Sequence, residues 1–201
     1  MCESIEEAAY EGNLSELKRI FQSNPENLYS NWDAMEYAIV QNNLSCVKFL
    51  LKNGAPCGSF GCAKAAHMGH FLILKFLHLA GCDWDNLTTY CAAKAGHLDC
   101  LMYAVRHGCS IDPHAIKLAI EKGHQKCVVF LIKWMTLSGQ LVGDELVLYT
   151  DMCLKAGLHD AVSHILLSSF DNDYLQLCEQ TSEMDISDLS DVTQTMNHFN
   201  L

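Results

Sequence analysis

Residues 92–112 read AAKAGHLDCLMYAVRHGCSID, and this stretch decides the fold. Two small residues, Ala92 and Ala93, precede a Gly-His pair; an apolar stripe follows at Leu98, Leu101, Ala104 and Val105, and Gly108 closes the segment. The stripe has helical spacing. A glycine supplies the left-handed backbone that ends a helix, so Gly96 and Gly108 delimit a second short helix after the one that carries the alanines. The segment therefore predicts helix, tight turn, helix, loop.

The same pattern recurs along the chain. Gly69-His70 and Gly123-His124 lie 27 residues to either side of Gly96-His97, and Asn42-Asn43 lies 27 further upstream. Gly12-Asn13 precedes that by 30, and Gly157 follows Gly123 by 34, which puts six units in register. Small residues stand four and three positions before each anchor: Ala8/Ala9, Ala38/Ile39, Ala65/Ala66, Ala92/Ala93, Ala119/Ile120 and, less well, Cys153/Leu154. Small side chains there let one helix approach its neighbour closely. A lone two-helix unit cannot bury its apolar face, so the units are expected to stack as a one-dimensional array.

These residues resemble ankyrin repeats, whose signature includes paired alanines, Gly-His and a Leu-rich second helix. The resemblance covers residues 5–169 and is similar to the short units of large ankyrin families in protists and giant DNA viruses. Two features depart from the family. The usual T-P-L-H before the alanines is replaced by Phe60-Gly61-Cys62-Ala63, Leu87-Thr88-Thr89-Tyr90 and His114-Ala115-Ile116-Lys117, and the period of 27 is short of the family's roughly 33. The expected fold is all-α: a helical solenoid of about six helix-turn-helix units whose protruding fingers are shortened to plain loops. The resemblance implies a non-enzymatic module that binds another protein.

Composition limits the alternatives. The 201 residues are half hydrophobic, enough for a core without staples, and 24 acidic against 13 basic residues give a formal charge of -11. That balance opposes neutralisation of a phosphate backbone, so no nucleic-acid partner is expected. The most apolar stretches, residues 71–80 and 128–132, fall short of the roughly 18 residues that span a bilayer. Eleven cysteines, an odd number, follow an N-terminus with neither a basic nor an apolar leader region. The reading is of an intracellular protein, cytoplasmic or nuclear, monomeric and without a cofactor, whose cysteines pack as small hydrophobes.

A partner surface follows from register. In an ankyrin-type stack the first helix of each unit lines the concave side, and its exposed positions fall near the anchor and before the alanines. Tyr10, Tyr37, Gln41, Lys64, His67, Met68, Lys94 and Glu121 occupy such positions, with Trp84 and Tyr90 extending the set. Aromatic, Met and basic residues are what interfaces favour. The anchor histidines His70, His97 and His124 read as structural, an imidazole N–H donated to a neighbouring backbone carbonyl.

The competing reading is a zinc- or thiol-dependent regulatory protein using Cys57, Cys62, His67 and His70, which fall within fourteen residues. The repeat register accounts for most of these positions without a metal. Residues 1–169 are expected to form the repeat domain and 170–201 an acidic, largely disordered tail. In that tail Met184, Ile186, Leu189 and Val192 alternate with aspartates.

Overall fold

A computed structural model describes residues 4–23, 32–141 and 143–167 of the chain. The described residues form helices and no strand. In chain order they are α1 (Ile5–Tyr10), α2 (Leu14–Ser23), α3 (Trp32–Val40), α4 (Leu44–Lys52), α5 (Ser59–Met68), α6 (Phe71–Leu79), α7 (Asn86–Ala95), α8 (Leu98–Arg106), α9 (Ala115–Glu121), α10 (Gln125–Leu137), α11 (Gly143–Lys155) and α12 (His159–Leu167). Each of the six predicted units supplies one pair. The loops between pairs, such as residues 53–58 and 80–85, carry no strand.

Every pair turns in the same way. The backbone N–H of the residue after the anchor reaches back to the carbonyl of the first small residue: Asn13 to Ala8, Asn43 to Ala38, His70 to Ala65, His97 to Ala92, His124 to Ala119 and Leu158 to Cys153, all within 2.8–3.0 Å. This six-to-one bond satisfies a carbonyl that the helix end would leave orphaned, and it requires a left-handed residue at the anchor. Gly69 takes φ of +72°, and in the second unit of the sequence pattern Asn42 takes +59°, the one non-glycine to do so among the described residues. The imperfect copy Asn42-Asn43 works because asparagine tolerates this region better than other side chains.

The described chain divides into two compact units, residues 1–118 and 119–201, with the boundary inside α9. In the first, the odd-numbered helices α1, α3, α5 and α7 pack successively on one side and the even-numbered α2, α4, α6 and α8 on the other. The small pairs lie where helices meet: Ala8, Ala9, Ala38, Ala65, Ala66, Ala92 and Ala93 have no accessible surface. The stripes of the second helices fill the space behind them, and Leu17, Leu50, Ile73, Leu74, Leu77 and Leu101 are fully buried. Truncating one such leucine to alanine costs about 2–5 kcal/mol.

In the second unit, α12 packs on α10 and α11. Val128, Leu131, Ile132, Cys153, Leu158 and Ala161 are buried there. The long spacing between Gly123 and Gly157 has a simple cause: α10 and α11 each run to thirteen residues, about one turn more than the helices before them. The tail proposed from the sequence lies outside the described residues, as do the side chains of Ile165 and Leu166.

Candidate functional site

The anchor side chains stitch successive repeats. Asn43 Nδ2 donates to the carbonyls of Ala9 at 3.0 Å and Tyr10 at 3.2 Å, and His70 donates its Nε2–H to the carbonyl of Val40 at 3.0 Å. Each bond satisfies a carbonyl in the last turn of the preceding first helix. The His97 ring lies so close over Gly69 that a Cβ there would sit 2.5 Å from Nδ1. These polar side chains are thus part of the stack, as their register implied.

With the anchors accounted for, the remaining exposed side chains on α1, α3, α5 and α7 form the candidate surface. Tyr10 at the end of α1 meets Tyr37 of α3 edge to face, ring centres 6.0 Å apart at 85°. Both stay open to solvent, 54% and 41% exposed. Lys64 of α5 reaches back to Glu36 of α3, Nζ to Oε1 2.7 Å, and lies over the Phe60 ring at 5.2 Å. Lys94 of α7 lies over Tyr90 at 5.7 Å. Gln41, His67 and Met68 are exposed beside them. Partly solvated ion pairs and cation–π contacts of this kind contribute at most about 1 kcal/mol each, so their effect is chiefly to hold the long lysines in place.

Two predicted residues sit elsewhere. Trp84, on the loop after α6, stacks on His78 with ring centres 3.9 Å apart and planes 14° apart, and its neighbour there is Tyr103 of α8. It fills the side built by the even-numbered helices. Glu121 is exposed at the end of α9, beyond the unit boundary.

Sequence reasoning missed Trp32 and Phe60, 56% and 52% exposed at the first turns of α3 and α5. With Met35, Ile39, Pro56 and Cys57 they line a cavity of about 30 Å³, with Glu36 and Lys64 also on its wall. The signal was their place in the opening turn of a first helix. Whether that turn is covered depends on the neighbouring loop, which the repeat pattern leaves open.

The Cys/His cluster does not assemble. Cys62 is buried, His67 is exposed and His70 is engaged with Val40, and among the described residues no three His, Cys, Asp or Glu side chains are placed to hold a metal ion. Cys57 instead forms a disulfide with Cys82, their Cα atoms 5.7 Å apart. This corrects the expectation of packed thiols for these two. Cys46, Cys62, Cys109 and Cys153 do pack as buried thiols. Burial pushes the Cys62 thiol up to about 12, and burial with the nearby Asp85 carboxylate pushes Cys109 up to about 11.

Residues 62–138 match the family model for ankyrin repeats, in three copies. These residues are ankyrin repeats. Among solved structures, 120 chains match, and the human ASB11 ankyrin repeat domain superposes with a TM-score of 0.57 at 20% identity, over 66% of this chain and 69% of that one. At that identity the likeness shows the fold. The comparison with curated proteins returns no match. Ankyrin repeats are generally protein–protein interaction modules and the family is generally non-enzymatic. No helix among the described residues is long and apolar enough to cross a membrane.

Proposed function

We propose that this ankyrin repeat protein captures another protein on the face built by α1, α3, α5 and α7, the concave side in the family's geometry. One observation carries the reading: an exposed row in which the Tyr10–Tyr37 edge contact leads on to Lys64 over Phe60 and Lys94 over Tyr90. Tyrosine offers a large, rigid, amphipathic contact at small entropic cost, and lysines already held by rings and a carboxylate lose little freedom on docking. Gln41, His67 and Met68 supply adaptable contacts between them. The remainder of the sequence reading belongs to the same proposal: a monomeric intracellular protein with residues 1–169 as repeat domain and 170–201 as acidic tail.

The test is the triple substitution Tyr37→Ala, Met68→Ala and Lys94→Ala in the full chain, used as bait in extracts of source cells and read by mass spectrometry. The wild-type chain is expected to retain partners that the variant loses, with the helical circular dichroism unchanged. Equal capture by a folded variant overturns the proposal.

A further inference from the structure

The Cys57–Cys82 bond joins the loop before α5 to the loop after α6, two consecutive inter-repeat loops on either side of one helix pair. The two sulfurs differ in surroundings. Cys82 is buried, 7% exposed, whereas Cys57 is half-buried and lines the cavity beneath Trp32 and Phe60. Just beside it, Gly58 precedes the first turn of α5 and lies against the Trp32 ring, which a Cβ at that position would meet at 3.7 Å.

The next pair of loops offers an internal control. Twenty-seven residues on, Trp84 stands where Cys57 stands and Cys109 where Cys82 stands. There the Cys109 thiol donates to the Asp85 carbonyl at 3.0 Å, and Asn86 and Thr89 bind Asp112 and Ser110. The stack thus holds its loops without a covalent link, and the link between the preceding pair is additional to the fold.

From this we infer that Cys57–Cys82 is a thiol-exchange site, opened and closed by small-molecule thiols and disulfides that attack at the half-buried Cys57 sulfur rather than at the buried Cys82. A thiolate attacks Cys57 Sγ, the bond between the proteins's two sulfurs breaks, and Cys82 departs as a thiolate that takes a proton from solvent. A second small thiolate attacks the mixed disulfide on Cys57, releasing the Cys57 thiol and one molecule of small-molecule disulfide. The bridge gains two electrons and the two small thiols lose them; the reverse sequence consumes one small-molecule disulfide. Reshuffling to other cysteines is suppressed because the nearby thiols, Cys62 and Cys109, are buried and poorly ionised. The inference is independent of the proposed docking face.

The experiment incubates the full chain, without denaturant, in reduced or oxidised glutathione, then quenches, alkylates and maps peptides by mass spectrometry. Cys57 and Cys82 should become alkylatable together in reduced glutathione and lose alkylation together in oxidised glutathione, while Cys62 and Cys109 stay thiols throughout. In Cys82→Ser, glutathione should be trapped on Cys57; in Cys57→Ser, residue Cys82 should acquire none. A bond that never opens in reduced glutathione, a pair that never closes in oxidised glutathione, or glutathione on Cys82 in preference to Cys57 would each overturn the inference. Circular dichroism of both variants confirms that the readout comes from the folded chain.

Discussion

The turn side and the loop side of the repeats are fastened by different rules. Every described turn uses one device, the N–H of the residue after the anchor bonded to a small residue's carbonyl five positions back. The loops open with the same bond, from Ala55 to Leu50, Cys82 to Leu77 and Cys109 to Ala104, but beyond it they differ: one successive pair is joined by Cys57–Cys82, and the next by hydrogen bonds from Thr89, Asn86 and Cys109. A turn of two or three residues has few backbone solutions, so the same residue types must recur in it. A longer loop has many, and each pair can settle its own. Repetition therefore marks what the stack needs, and variation marks where a particular repeat has acquired something of its own.

The largest effect should come from removing the covalent fastener. Closing a loop over a sequence separation of 25 stabilises a fold by about 3 kcal/mol in the chain-entropy account. Cys57→Ser/Cys82→Ser should lower the urea-unfolding free energy by that order relative to the oxidised wild type, and match the reduced wild type within error. A variant as stable as the oxidised protein would place the loops' cohesion in their noncovalent contacts alone.

A smaller effect is expected on the turn side. Gly69→Ala combines a strained positive φ with a Cβ that meets the His97 ring at 2.5 Å, so a loss of about 2 kcal/mol is expected. Gly81→Ala, at φ of +80° with open space around the new methyl, should lose only about 1 kcal/mol. Equal unfolding midpoints for the two would mean that the inter-repeat contact at Gly69 adds nothing.

The smallest effect is a pH dependence at the second pair of loops. Burial, and secondarily the charge of His107, hold the His78 imidazole below its ordinary value, where it stacks on Trp84 and shares a 2.8 Å hydrogen bond with Tyr103. The unfolded chain then binds the proton more readily, so this contribution to stability is intact above about pH 6.5 and declines as pH falls from there through the lowered folded value. Unfolding midpoints at pH 7.5 and about 5.5 should differ less in His78→Gln than in the wild type.

Much of this architecture was legible because turns and helix faces are governed by local rules. The spacing of Gly69, Gly96 and Gly123 located the helix pairs, and the alanines before them located the close approaches. The row Tyr37, Lys64 and Lys94 followed from the same register, since exposure on a first helix repeats with the period. Its partners did not. Glu36 and Phe60 join Lys64 through side-chain directions that spacing alone does not specify. The Cys57–Cys82 pair was hidden for a related reason: Cys82 shares its register with Ala55 and Cys109, so periodicity explained it as a small core residue before any pairing was needed. The nearness of two loops in space depends on how far apart the stacked helices lie, which no local pattern records.

The side-chain bonds at Asn43 and His70 run in one direction, from a later repeat to the carbonyls of the one before it. At these two joints the earlier repeat is finished by its successor, whereas Asn86 and Thr89 donate the other way, to Asp112 and Ser110 of the following loop. Trimming the chain from its N-terminal end removes the acceptors of these two joints, and trimming from the C-terminal end removes their donors. The joints at Asn43 and His70 thus have a direction that the loop joint at Asn86 and Thr89 reverses, so each end of a shortened array would lose a different kind of partner.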